Sequence, residues 1–296
     1  MHPDAEQCIF EGVLWHRYDS FDQFQTQQTT HQEAYAGRAQ WTHHLEACCH
    51  GPGQYAGWCG VCAKPNVFSF ATHPTTPNVR EALLCDACQL NARLRATFNL
   101  LASTCPKGDQ AQIYLTEQAT SFYRHCKHHW PQVRGSEYFP DTMRPRLTDY
   151  LHCLIHHQEV LRWEDVCALS FKDRSIDHII SCEVLEHVPN YKDALAEFAR
   201  VLKPGGSLIV TVPFLDGCHD TLTRARRLDD GTIEHLCQPE YHGDPVNGEG
   251  ILAFYHFGWD LLDELRGVGF SKAQWCLPWA PAQGLFTGLW TLQAIR

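Results

Sequence analysis

The sequence predicts an α/β fold: a mainly parallel sheet with helices on both faces, preceded by a small four-cysteine module. Three observations lead there. From Ala111 onward, short apolar runs alternate with helical stretches, the pattern of strand–helix–strand units. Cysteines recur as Cys59-x2-Cys62 and Cys85-x2-Cys88, with 22 residues between the pairs. A hydrophobic fraction of 44% over 296 residues suffices for a sizeable core.

Three segments follow: a helical and polar N-terminal segment over 1–57, the cysteine module over 58–105, and the α/β domain over 106–296. Residues 20–45 have weak helical character through Phe21, Phe24, Ala34, Tyr35 and Leu45, and Gly51-Pro52-Gly53 punctuates the segment. Residues 105–109, Cys-Pro-Lys-Gly-Asp, read as a linker. Residues 113–116 are a strand, and 122–129 a helix that must stop before Pro131. Residues 132–139 are a second strand candidate, and 153–155 a weaker one. Residues 177–181 have the apolar run of a buried strand. Residues 192–202 are a helix with Leu195, Phe198 and Leu202 on one face, ended by Lys203-Pro204-Gly205-Gly206. Residues 207–213 form a clean apolar strand, 259–266 a helix closed by Gly267, and 288–295 a last strand.

The cysteine spacing is that of two knuckles, each placing two thiolates on one tight turn. Together they are expected to complete a closed tetrahedral Zn²⁺ site of Cys59, Cys62, Cys85 and Cys88, a staple for the fold with no position left for substrate; the alternatives are a redox or simply buried set of cysteines, and a module that recognises a partner or substrate. Arg80, Arg93 and Arg95 are placed to offset the thiolate charge. His43, His44, Cys48, Cys49 and His50 are crowded rather than paired across a loop, and read as incidental surface residues, with metal binding as the alternative.

Composition excludes some functions. With 24 Lys+Arg against 34 Asp+Glu the net charge is −10, which argues against nucleic acid as a partner. No window approaches the roughly 20 apolar residues of a membrane span. The opening MHPDAEQC lacks the apolar core of a secretory signal. An odd count of 15 Cys cannot close wholly into disulfides within the chain, so a reducing, cytoplasmic setting is expected.

The most informative run is Ser175 to Pro189, containing Asp177, Cys182, Glu183, Leu185, Glu186 and His187, followed by Arg200-Val-Leu-Lys-Pro-Gly-Gly206 and a strand leading to Pro213-Phe214. Upstream stands Asp165-Val-Cys-Ala-Leu-Ser-Phe171. In order and spacing these elements resemble the class I S-adenosylmethionine-dependent methyltransferases of the broad small-molecule type. The resemblance is strong over 165–214 and extends at fold level over 111–296. It implies a Rossmann-like sheet of seven strands and S-adenosylmethionine as cofactor. It also implies Glu137 as the ribose carboxylate with Tyr138 beside it, Asp165 and Val166 at the adenine, and Cys182 and Glu183 near the methionine tail and substrate.

One departure is plain. Where the family has a glycine-rich turn after the first strand, this chain has Thr116-Glu117-Gln118-Ala119-Thr120. A subset of methyltransferase-like proteins shares TEQxT and GSEY at these places, together with the preceding cysteine pairs and a YHGDP element, here residues 241–245. That likeness implies that Glu117 and Thr120 line the cofactor pocket.

Methyl transfer needs a base only when the acceptor holds its proton firmly. The candidates are Glu183, His219 and His242. His187 reads as a packing residue at a helix start. Residues 215–257 form an insertion over the substrate side. Its His219, His235, His242 and His256 can supply a base, or, with Cys218 or Cys237, a second metal site. Arg224, Arg226 and Arg227 suit an anionic group or a solvated turn. The expected reaction is methylation of a small-molecule or carrier-borne substrate. The alternatives are a degenerate, non-enzymatic scaffold, or another use of the cofactor such as cyclisation or transfer of a different group.

Overall fold

The computed structural model describes residues 12–48, 54–70, 78–106, 110–138, 161–243 and 250–296. The readings placed on the opening octapeptide, Cys49, His50, residues 51–53, 107–109, Phe139, residues 153–155, Asp244 and Pro245 lie outside these residues.

The described chain opens with β1 (Leu14–Tyr18), α1 (Phe21–Thr30) and α2 (Gln32–Cys48). Ser20 caps α1 by accepting the Gln23 amide, which sets the helix start. The cysteine module contains β2 (Gln54–Cys59), β3 (Lys64–Phe70), α3 (Val79–Ala82), β4 (Leu83–Cys85) and α4 (Ala92–Thr104). Its strands make a sheet in the order β2-β3-β4. Asn91 caps α4 through the Leu94 amide.

The α/β part follows with β5 (Ile113–Leu115), α5 (Ser121–His129), β6 (Arg134–Gly135), β7 (Ile176–Cys182), α6 (Tyr191–Val201) and β8 (Leu202–Thr211). The insertion carries only two- and three-residue strands: β9 (Leu222–Thr223), β10 (Ala225–Arg227), β11 (Ile233–His235), β12 (Tyr241–His242), β13 (Ile251–Leu252) and β14 (Tyr255–His256). Then come α7 (Leu261–Gly267), β15 (Lys272–Trp279) and β16 (Thr291–Ile295).

Seven strands form the main sheet in the order β1-β15-β16-β8-β7-β5-β6. The pairs β5–β6, β5–β7 and β7–β8 are parallel, and β16 runs antiparallel between β8 and β15. Strands β6, β5, β7, β8 and β15 therefore point one way, and β16 and the edge strand β1 the other. The predicted α/β class with a seven-stranded sheet is what the chain adopts. Two strands escaped the sequence reading. β15 is buried on both faces and carries Pro278 and the buried Gln274, which donates to Gln293 at 3.2 Å, within its apolar run. β1 is too polar to stand out alone.

The two sheet faces bury different layers, as the strand period of two requires. On one face Ile179, Leu208, Val210 and Trp275 pack with Phe24, Phe198 and Leu262 of α1, α6 and α7. Leu195, Phe198 and Leu202 are buried as the helical spacing predicts. Each such side chain contributes about 1.5–3 kcal/mol. On the other face Ile180, Ile209 and Cys276 meet α5 and the cysteine module in one continuous core that includes Phe68, Phe98 and Leu101. The module thus forms part of the second layer. Arg95 fastens it there: fully buried, it donates to the carbonyls of Leu83, Leu90 and Gly284 and stacks on Phe68. Among the described residues no helix is long and apolar enough to cross a membrane.

Candidate functional site

A cavity of about 400 Å³ opens at the carboxyl ends of β5, β6 and β7. Crevices at this edge of a parallel sheet are the usual ligand sites of open α/β folds. Each strand delivers one part of the wall. Tyr114 and Thr116 come from β5 and the turn after it, Ser136 to Tyr138 from the chain after β6, and Glu183 from the residue after β7. The short turn Leu185–His187 and the chain to Asn190 close one side, and Glu164 to Cys167 another.

The loop after β5 is held without glycine. Glu137 accepts the backbone amides of Gln118 at 2.7 Å and Ala119 at 2.6 Å through Oε1. Thr120 caps α5 by accepting the Tyr123 amide at 3.1 Å. The glycine that permits close approach sits across from the loop. A Cβ at Gly135 would stand 2.4 Å from the Glu117 carbonyl oxygen and 2.8 Å from the Tyr123 ring.

Glu117 turns its carboxyl inward, and Oε1 is buried with no hydrogen-bond partner. Burial pushes this carboxyl up to about 7; the Glu137 charge adds to the rise, while the Thr120 hydroxyl and Arg93 oppose it. A buried carboxylate with one oxygen unpaired fits an incoming cation. Cys182 lies near it at the end of β7, its thiol pushed up by burial and by the neighbouring Glu117 charge.

Glu183 lines the cavity in a left-handed backbone conformation, φ +52°, which non-glycine residues adopt at a cost and mostly at functional positions. Its carboxylate is held by the cysteine module. Arg80 donates Nη2 to Oε1 at 2.6 Å, and Arg93 stands at 3.9 Å while gripping Glu81. Burial would raise the Glu183 carboxyl, but the two guanidinium charges outweigh it and hold it below the usual range. Of the three arginines assigned to the thiolates from sequence, the charge-offsetting role falls to Arg95, which feels all four cysteines. Arg80 and Arg93 serve the cavity wall instead.

The remaining candidates divide. Glu137, Tyr138, Asp165, Val166 and Glu183 all line the cavity. Asp165 also accepts the Cys167 amide at 2.8 Å, and Tyr138 packs on Trp163. His242 packs on His187, a cavity residue, with ring centroids 4.9 Å apart. The Glu186 and Glu240 carboxylates raise it to about 9, against the effect of burial. Glu117, Thr120, Cys182 and His242 are not among the cavity-lining residues, and neither is His219. It is mostly exposed, bonded to Asp220 at 2.7 Å and packed near Phe21. Arg80, Arg93 and Glu186 are the residues that the sequence reading did not bring to this place. Arg80 lies 103 residues from Glu183, so no local pattern signals the pair.

In the module, the sulfurs of Cys59, Cys62, Cys85 and Cys88 all lie within 4.8 Å of one another, with Cys59–Cys88 at 3.8 Å and Cys62–Cys85 at 3.9 Å. A tetrahedral zinc thiolate site, with Zn–S of about 2.3 Å, sets its sulfurs ~3.8 Å apart. The donor set fits that ion.

Comparison with known proteins agrees with this geometry. Residues 122–210 match a protein family described as a methyltransferase domain. Over that stretch, under a third of its length, the chain is similar to methyltransferase domains. The matched stretch begins after the glycine-free loop at 116–120. The 27-O-demethylrifamycin SV methyltransferase of Amycolatopsis mediterranei (strain S699) is 26% identical over 116 residues, 36% of this chain and 43% of that protein. The chain thus matches less than half the length of this curated relative. Similar solved structures include an S-adenosylmethionine dependent methyltransferase from Mesorhizobium loti, at 15% identity and TM-score 0.41 over 68% of this chain and 98% of that one. Another is Haemonchus contortus phosphoethanolamine N-methyltransferase 2 in complex with S-adenosyl-L-methionine, at 13% identity and TM-score 0.35 over 60% of this chain and 37% of that one.

Proposed function

We propose that this methyltransferase domain binds S-adenosylmethionine in the cavity at the strand ends and methylates a small-molecule or carrier-borne acceptor. The observation that carries the reading is the convergence of Glu137, Asp165 and Glu183 on one cavity from three separate chain crossings. When bound, the cofactor supplies an electrophilic methyl group on a sulfonium. Glu137 offers its carboxylate to the ribose hydroxyls, and Asp165 and Val166 border the adenine. Glu117 and Glu183 place negative charge beside the cationic tail, with Thr120 and Cys182 packed next to them. Held ionised by Arg80 and Arg93, Glu183 acts as a charge partner rather than a proton acceptor. No role in the transfer is proposed for His219.

The acceptor side is the mouth formed by His187, Asn190, Arg227 and Ile251, two of which belong to the insertion. Arg227 suits an anionic group on the acceptor. The rifamycin methyltransferase relative supports a small-molecule substrate, as does the net charge of −10. In the module we assign Zn²⁺ to the four cysteines as a structural ion.

One observation favours the scaffold reading: Glu137 already engages two loop amides through one oxygen. Isothermal titration of the zinc-loaded protein with S-adenosylmethionine decides between them. Saturable binding, weakened in Glu137→Ala, supports the transferase. Absence of heat with a fully zinc-loaded chain would leave only the scaffold. Mass spectrometry of a reacted substrate then reports whether one methyl group was gained, which separates methylation from cyclisation or another transfer.

A further inference from the structure

We infer that Glu186, His187 and His242 form a second metal site, for Zn²⁺, at the seam between the cavity wall and the insertion. The three ligand atoms lie within 4.8 Å of one another. Glu186 Oε1 is 3.5 Å from His242 Nδ1 and 3.7 Å from His187 Nε2.

The hydrogen bonds behind the two imidazoles make the case. His187 Nδ1 lies 2.9 Å from the Leu252 carbonyl, which can only accept, so Nδ1 carries the proton. In the neutral ring Nε2 then presents a lone pair toward Glu186. His242 Nε2 lies 3.0 Å from the Glu240 carboxylate, which keeps a proton on Nε2, so Nδ1, facing Glu186 at 3.5 Å, is the nitrogen whose proton a metal ion displaces. Metal-bound histidines are oriented in this way, the outer N–H donating to a carbonyl or carboxylate. Glu240 is itself anchored by Arg224 at 3.0 Å and by His256.

Glu186 completes the set. Its side chain is fully buried, and neither carboxylate oxygen has a hydrogen-bond partner. A buried carboxylate and two ring nitrogens converging on one point call for a cation, which is either a metal ion or the Nδ1 proton that it displaces. Two nitrogens and one oxygen are a zinc donor set with three protein ligands, which leaves a tetrahedral ion one position for an oxygen donor. The site ties β12 of the insertion to the turn after β7. His187 also lines the cavity, so the site borders it.

The test is metal stoichiometry on the full chain, by native mass spectrometry and elemental analysis, followed by Co²⁺ substitution. Two equivalents are expected. The cysteine site should show intense thiolate-to-cobalt charge transfer, and the second only weak ligand-field bands of a nitrogen–oxygen site. Glu186→Gln and His242→Gln should each remove the second equivalent and its bands while leaving the thiolate bands unchanged. Glu240→Gln, which removes only the acceptor behind His242, should lower second-site affinity about 10–100-fold. A single equivalent in the unaltered protein overturns the assignment. In that case a proton shared between His242 and Glu186 fills the place, visible as an imidazolium by NMR. Retention of the second equivalent in both Gln variants overturns it equally. The unaltered protein decides the matter even if a variant fails to fold.

Discussion

Arg80, close to the four cysteines, donates to Glu183 at the end of β7 at 2.6 Å, across 103 residues of chain. Arg93, on α4 of the module, backs the same carboxylate and also reaches the Thr211 hydroxyl at 3.3 Å. The cysteine module therefore sets the electrostatics of the cavity wall as well as filling one layer of the fold. Glu81, on α3, collects both arginines and fixes their spacing.

Arg93→Ala should destabilise the fold more than Arg80→Ala. The Arg93 side chain is 11% exposed against 26% for Arg80. Removing one partner of a buried ion pair costs about 3–5 kcal/mol because the other charge is left uncompensated. Arg93→Ala should approach that range, and Arg80→Ala stay well below it. Urea unfolding measures both. Adding Glu183→Gln to Arg93→Ala should recover part of the loss, since the stranded charge is gone. An unaltered deficit in the double variant would show that the arginine acts through packing alone.

Glu117 gives a pH signature. Its carboxyl is raised from 4.5 to about 7 in the folded chain. Folding stability from this group is fully present below pH about 4.5 and falls as pH rises through about 7, because the unfolded chain ionises first. The loss amounts to a few kcal/mol at most. Glu117→Gln should flatten that decline in denaturation midpoints measured between pH 5 and pH 8. A bound cation rewards the ionised form, so S-adenosylmethionine affinity should rise with pH through the same window. The rise should vanish in Glu117→Gln, and an undiminished rise there would assign it to another group.

Zinc removal should reach the cavity. The four-cysteine unit shares its core with the sheet, so Cys62→Ser is expected to lose one equivalent of zinc and to lower the melting temperature of the whole chain. It should also weaken cofactor binding, because α3 and α4 position Arg80 and Arg93. Differential scanning calorimetry checks the first effect and titration the second. A variant that lost zinc yet kept both values would uncouple the module from the site.

Much of this was legible in the sequence, for physical reasons. The helix at Leu195 and Phe198 and the strand at Leu208 to Val210 follow from period alone, and the four-cysteine site from ligand spacing. Chain crossings with strong local patterns delivered Glu137, Asp165 and Glu183 to the strand ends. What stayed hidden depends on contacts that local patterns do not encode. Arg80 and Arg93 lie beside the cysteines in sequence, which suggested thiolate partners, but α3 and α4 aim them at a residue over a hundred positions away. His187 sits in a helix-start motif, and only the return of β12 and β13 gives it Leu252 and His242 as neighbours. β15 was missed because a strand buried on both faces need not alternate, and its proline and glutamine masked the apolar run.

Gly135→Ala tests how the loop after β5 works without glycine. The new Cβ would stand 2.4 Å from the Glu117 carbonyl oxygen, a backbone atom that cannot swing aside, and 2.8 Å from the Tyr123 ring. Relief requires moving the segment 116–120, and with it the amides of Gln118 and Ala119 that Glu137 holds. The overpacking cost is about 1–3 kcal/mol. Because the strain falls on the cofactor loop, affinity for S-adenosylmethionine should drop by at least tenfold while the chain remains folded. Gly205→Ala is the matched comparison: its φ of +80° is strained for alanine, but no atom stands within 4 Å of the added Cβ. That change should cost roughly 1 kcal/mol of stability and leave affinity unaltered. If the two variants lowered affinity equally, the tight approach of β6 to the loop would have no bearing on binding.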